Sequence, residues 1–227
     1  MARPGRQPAG GQRGLSPQPP SVPAPALAAG TAPTAAHGPL TWPLLHVVLH
    51  QPQIPNNTGN IGRTCVATGC ALHLVHPLGF DTSEKACRRA GLDYWPRLAP
   101  AEHPDWPALC AHLSAPDRPF PRRAWLFSTR ATRSVADPSV RIEPADAVVF
   151  GSETRGLPDQ LLADLPARVL SLPMLPAERS LNLATAVCAV VYLVMAQWIR
   201  AGTLSLDPAG RLPQLPLRPR PAGTLTP

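Results

Sequence analysis

Lysine is almost missing from this chain of 227 residues: Lys85 is the only one, and arginine carries the rest of the positive charge. The glycine-flanked loop at 150–158, "FGSETRGLP", therefore lacks the lysine of a phosphate-binding P-loop, and Glu153 stands where a phosphate would be repelled. No G-x-G-x-x-G dinucleotide turn occurs anywhere. Cysteine pairs are missing too. Five cysteines, an odd number with no C-x-x-C, exclude a disulfide framework and a zinc ribbon and fit a reducing cytoplasm. His46/His50 and His73/His76 lack the cysteine or carboxylate spacing of a metal site, so no metal is expected. A long apolar run is also wanting. In "LNLATAVCAVVYLVMAQWI", residues 181–199, the uninterrupted part from Ala186 to Ala196 is shorter than the ~20 residues a bilayer requires, and no membrane span is expected. No secretory signal is evident, and the prolines near the N-terminus forbid the amphipathic helix of a transit peptide.

Proline, by contrast, is abundant, and its 32 residues are unevenly placed. Segments 1–43 and 203–227 are rich in Pro, Ala, Gly and Arg without hydrophobic period, so both are predicted to be disordered tails around one domain at 44–202. The tails hold most of the net charge of +7, which leaves a mildly basic core. Such a core permits RNA binding if Arg88, Arg89, Arg122, Arg123, Arg130 and Arg133 cluster in space; scattered, they are only a solvated surface.

Strands are predicted at 44–49, 72–76, 123–128, 146–151 and 168–172. Helices are predicted at 57–69, 83–90, near 105–113, at 157–165 and at 180–199. Alternation of the two implies an α/β fold with a parallel sheet covered by helices on both faces, and ligands then sit at the carboxyl ends of the strands. The last helix, apolar nearly all round, is predicted to pack on its own sheet and on a second subunit.

Three loops at the carboxyl ends are odder than connections need to be. In "HQPQIPNNTGNIGRTC", residues 50–65, Asn57 or Thr58 could cap the helix. Asn60 and Arg63 share one helical face and Ile61 and Cys65 the other, which would point Arg63 into the mouth of the sheet. "FGSETRGLP" offers a glycine turn with a carboxylate, suited to a polar ligand that is not polyanionic. "SLPMLPAERSLNL", residues 171–183, is stiffened by Pro173 and Pro176, with Ser180 as cap and Asn182 in the first turn. Each loop alone reads equally as turn, cap or rigid connection.

Together, "PNNTGNIGRTC", "FGSETRGLP" and "PMLPAERSLNLATAV", in this order and spacing, resemble the three motifs of the SPOUT superfamily of RNA methyltransferases. The similarity is greatest to its TrmL branch, tRNA 2′-O-methyltransferases of the wobble cytidine or uridine. It runs from about Leu44 to Ile199 and includes "HPLGF" at 76–80 and "RRAGLDYW" at 88–95. The resemblance implies a C-terminal trefoil knot, a homodimer, S-adenosylmethionine as cofactor and the tRNA anticodon loop as partner. It implies cofactor contacts from Phe127, Ser128, Thr129, Gly151, Glu153, Leu172, Met174 and Ser180. Arg63 and Asn182 would face the reacting ribose, and Asn57, Asn60, Arg88, Arg89 and Arg155 would meet the RNA. Ser152 departs from the proline many relatives carry. The Lys-Asp-Lys-Glu set of Rossmann-type 2′-O-methyltransferases cannot be assembled with one lysine. A ribosomal-RNA methyltransferase, or a knotted RNA-binding protein without activity, are the alternatives.

Overall fold

The computed structural model describes residues 40, 42–83 and 94–215. The helix expected at 83–90, with Arg88 and Arg89, lies outside the described residues, as do 1–39 and 216–227. The order is β1 (His46–His50), α1 (Pro55–Thr68), β2 (Ala71–Val75), α2 (Trp95–Leu98), β3 (Ala101–His103), α3 (Trp106–Leu113), β4 (Ala124–Phe127), β5 (Ala147–Phe150), α4 (Asp159–Asp164), β6 (Val169–Leu170) and α5 (Leu183–Arg200). The sheet runs β3-β2-β1-β5-β4-β6, with every paired strand parallel.

The central strands are apolar on both faces because both are covered. Val47, Leu49, Leu72, Leu74, Val148 and Phe150 pack with Ile61 and Cys65 of α1 and with Val187, Val190, Val191, Val194 and Trp198 of α5. On the other face Val48, Val75, Leu126 and Val149 meet Leu109 of α3 and Leu161 of α4. By length and composition α5 could cross a bilayer, yet this inner face is core. Its Tyr192, Leu193 and Ile199 remain exposed. Burial pushes the Cys70 thiol up to about 11 and, with the Arg123 charge second, holds His46 down to about 4.

Two elements escape the sequence pattern. The one-turn α2 and the edge strand β3, "AEH", are too short to carry a period, and β3 is defined by its partner: His73, Leu74 and Val75 pair with Ala101, Glu102 and His103. Helix α1 begins at Pro55, two residues before the expected start, because proline at the first helical position loses no hydrogen bond there. It ends at Gly69, whose φ of 70° is the left-handed cap.

The expected domain end at residue 202 falls short. Leu204 is buried, and Leu212 and Leu215 pack against the core, Leu215 lying over Gly69 so closely that a Cβ there would be 2.4 Å from its Cδ1. The proline-rich composition hid these leucines, which bury surface one at a time without a period. Removing 216–227 is expected to leave the melting temperature unchanged. Removing 205–227 uncovers Trp42, Val66 and Leu98 beneath Leu212 and Leu215. The loss of about 1–2 kcal/mol of burial lowers the melting temperature by several degrees, measurable by calorimetry.

Candidate functional site

The loops after β1, β5 and β6 meet at the carboxyl ends of the strands, and a carboxylate joins the first two. The side chain of Ile54, which precedes α1, makes no capping bond, and its carbonyl accepts from Asn57 N and Thr58 N; the N–H groups of Gln53 and Ile54, just ahead of the helix, still need an outside acceptor. Glu153 of the β5 loop provides it. Its Oε2 accepts from Gln53 N at 2.9 Å, and its Oε1 accepts from Ile54 N at 3.3 Å and from Asn57 Nδ2 at 2.9 Å. An anion here also meets the positive end of the helix dipole. Neither Asn57 nor Thr58 is the cap: both lie inside α1 and are buried.

Asn57 carries the connection to the third loop. Its Oδ1 accepts from Asn182 Nδ2 at 2.9 Å, while Asn182 Oδ1 accepts from Ala184 N at 2.9 Å and Thr185 N at 3.3 Å. Asn182, rather than the expected Ser180, is therefore the cap of α5, which begins at Leu183. The carboxylate sets the polarity of the whole relay. It only accepts, so Asn57 must turn its NH2 toward Glu153 and its oxygen toward Asn182. Asn182 must then donate, keeping its own oxygen for the helix. Two further ties hold the first loop: Thr154 Oγ1 to Gln53 Oε1 at 2.7 Å, and Gly79 N to Pro52 O at 2.9 Å.

These loops enclose a cleft of about 730 Å³, within the usual range for a small-molecule site. Its walls are 127–130 after β4, the β5 turn 150–157 and the entry to α5 at 179–183, with Ile54, Asn57 and Ala186. Phe127 stacks on Phe150, ring centroids 4.9 Å apart and planes 13° apart, as an apolar floor. The β5 turn folds back tightly: Gly156 N donates to Ser152 O at 2.9 Å, and a Cβ on Gly151 would lie 1.9 Å from the carbonyl carbon of Gly156. Only glycine fits at 151. Glu153 turns its oxygens to the first loop, so the interior offers hydroxyls, an asparagine and backbone groups. The mouth is basic, with Arg130, paired to Asp159, and the exposed Arg155 and Arg179.

Of the residues expected here, the cleft brings together Asn57, Phe127, Ser128, Thr129, Gly151, Glu153, Arg155, Ser180 and Asn182. Leu172 and Met174 are not on its walls; Leu172 packs against the core. Arg63 does not point into the mouth of its own sheet. It lies six residues after Asn57, about 240° around the helix at 3.6 residues per turn, and is exposed, with its guanidinium 5.2 Å from the Tyr94 ring centroid. Asn60 is exposed with it, while Ile61 and Cys65 are buried as expected. Arg130, named from the sequence only among the arginines that could meet RNA, stands at the mouth. Sequence reasoning missed Gln53, Thr154 and Arg179. Arg179 stands beside Ser180, already singled out, and could have been found there. Gln53 and Thr154 could not, since their bond spans 101 residues.

A model of the SpoU rRNA Methylase family matches residues 44–192. Among similar proteins, a tRNA (cytidine(34)-2′-O)-methyltransferase of Acidovorax sp. (strain JS42) is 46% identical over 150 residues, 66% of this chain and 89% of that one. A solved structure described under "Structural insights into the 2-OH methylation of C/U34 on tRNA" is 41% identical, with a TM-score of 0.60 over 69% of this chain and 97% of its own. The SpoU methyltransferase AviRb from Streptomyces viridochromogenes, in complex with AdoMet, is alike in fold, with a TM-score of 0.58 at 23% identity over 71% of this chain and 60% of its own.

Proposed function

The chain belongs to the SpoU rRNA methylase family, and from that premise we propose that it methylates the ribose 2′-hydroxyl of the wobble nucleotide, cytidine or uridine 34, in the tRNA anticodon loop. The observation that carries this reading is the relay Glu153–Asn57–Asn182, which ties the three motif loops into one cleft. S-adenosylmethionine, when bound, supplies an electrophilic methyl group. The cleft fits it: Gly151 lets the β5 turn close on itself, the turn presents backbone groups to the cleft, and hydroxyls stand on the β4 side. Phe127, Ser128, Thr129, Gly151 and Ser180 would hold it, with Glu153 keeping the turn and the first loop in place.

The remaining work falls to this chain's own side chains. Arg155 and Arg179 at the mouth, with Arg130, attract the RNA backbone, and Asn182 stands at the cleft's edge beside the ribose. Negative charge gathers on the 2′-oxygen as its proton leaves to water or to a phosphate of the substrate. The guanidinium of Arg63, five N–H donors in a planar fork, is a good partner for that charge or for the neighbouring phosphate. Because Arg63 lies outside its own cleft, the reading includes a homodimer in which it reaches the partner's cleft. The exposed Tyr192, Leu193 and Ile199 of α5, with Leu181 and Ile54, form the apolar surface for it. Arg88 and Arg89 would add RNA contacts. An unpaired anticodon loop can splay a nucleotide into such a site, which a duplex cannot. With the family reading come the C-terminal trefoil knot and a cytoplasmic setting, in which the described cysteines stay free.

The test is methylation of tRNA transcripts and ribosomal RNA by the purified protein, with the modified position mapped. A 2′-O-methyl at position 34 is the expected result. Methylation confined to ribosomal RNA or to other tRNA positions would overturn the substrate assignment.

A further inference from the structure

Away from the cleft, on the sheet face covered by α3, four imidazoles come together. Strand register makes this happen. His46 pairs with Ala71, which sets His73 two residues further along on the same face; His73 pairs with Ala101, which sets His103 two further again. His112 lies three residues after the buried Leu109, on the face of α3 turned to the sheet. His46 Nδ1 is 2.9 Å from His73 Nε2, and His73 Nδ1 is 3.0 Å from His103 Nε2. The His112 ring centroid is 5.0 Å from that of His103 and 5.8 Å from that of His73. One nitrogen from each of His73, His103 and His112 falls within 4.8 Å of the others.

We propose that His73, His103 and His112 form a binding site for one divalent first-row transition ion of the zinc class, with His46 as the outer partner that orients His73. Imidazole nitrogen is the donor such ions prefer over the harder magnesium and calcium. The spacing suits them: at Zn–N distances of about 2.0–2.1 Å, tetrahedral ligands stand roughly 3.3 Å apart. His73 and His103 are nearly there, and His112, exposed at the helix end, already has a nitrogen within 4.8 Å of both. His73 Nδ1 and His103 Nε2 face each other with one proton between them, and the ion takes that proton's place. His73 then keeps its N–H on Nε2 and donates it to His46 Nδ1, the outer hydrogen bond that metal-bound histidines use to hold tautomer and ring plane. The fourth position opens to solvent beside His112. An ion here would pin α3 to β2 and β3 at the sheet edge. The sequence concealed the site because its neighbouring pairs, His46/His50 and His73/His76, are split. His50 lies against Trp106, and His76 pairs with Glu102.

The experiment is titration of the metal-free full-length protein with cobalt(II) chloride, followed by competition with zinc. The expected result is one cobalt per chain, with the intense visible absorption of a low-coordinate ion, bleached by one equivalent of zinc. Zinc should also raise the melting temperature by several degrees, since it binds only the folded site. His112→Ala removes an exposed ligand and should fold normally, but bind at least about 100-fold more weakly and lose the zinc-dependent shift. His46→Ala should weaken binding about 10–100-fold through the lost outer hydrogen bond. Absence of stoichiometric cobalt binding, or binding and thermal shift unchanged in His112→Ala, would overturn the proposal.

Discussion

Glu153→Gln is expected to lower the melting temperature by roughly 5–10 °C and to abolish binding of the methyl donor, although the two side chains have nearly the same shape. The carboxylate accepts on both oxygens, from Gln53 N on one side and from Ile54 N and Asn57 Nδ2 on the other. A glutamine amide keeps only one acceptor end. If its NH2 faces Gln53, two donors confront each other. If its NH2 faces Ile54 and Asn57, Asn57 can turn over to accept, but Asn182 must then turn its oxygen away from Ala184 and Thr185 and uncap α5. Either way a donor is stranded. Losing a charge-assisted bond costs about 1.5–3 kcal/mol, and each kcal/mol is worth about 2–4 °C in a domain of this size. Asn182→Ala, which loses the α5 cap and one relay bond, should cost about 1 kcal/mol. Thermal melts and cofactor titration of the two variants check this order; a melting temperature for Glu153→Gln within a degree of wild type would show that the relay does not hold the loops.

Arg63→Ala should do the reverse, sparing the fold and stopping the chemistry. The side chain is exposed and its described contact is with the Tyr94 ring, an interaction worth about 0.5–1 kcal/mol at the surface. The melting temperature and donor affinity should therefore change little. Turnover should fall about 100-fold or more, the scale of removing one group that stabilises developing negative charge. Arg63→Lys should recover little, because an ammonium lacks the planar fork that grips two oxygens at once. Mixed dimers of Arg63→Ala and Asn182→Ala should regain turnover that neither homodimer has, since one of their two composite sites is whole. Turnover of Arg63→Ala within a few-fold of wild type would remove its role, and no recovery in mixed dimers would remove the shared site.

What the residue order alone determined about this protein lies within short stretches of chain. Buried strands such as LLHVVL, the inward pair Ile61 and Cys65, and three loops too elaborate for simple connections could all be read locally. The reason is that periods of 2 and 3.6 residues are written in neighbours. The tertiary structure decided what depends on register. Glu153 braces the entry to α1 because parallel pairing of β1 with β5 brings residues 96 positions apart to 2.9 Å. That brace makes Asn57 a link between loops, while the turn of the helix carries Arg63 away from its own cleft. In the same way Asn182, the cap of α5, also joins the loops because the fold brings Asn57 within reach to accept from it. The strand β3, the leucines after residue 203 and the histidine cluster follow suit: each gains its meaning from a partner across the fold, and no local period records such partners.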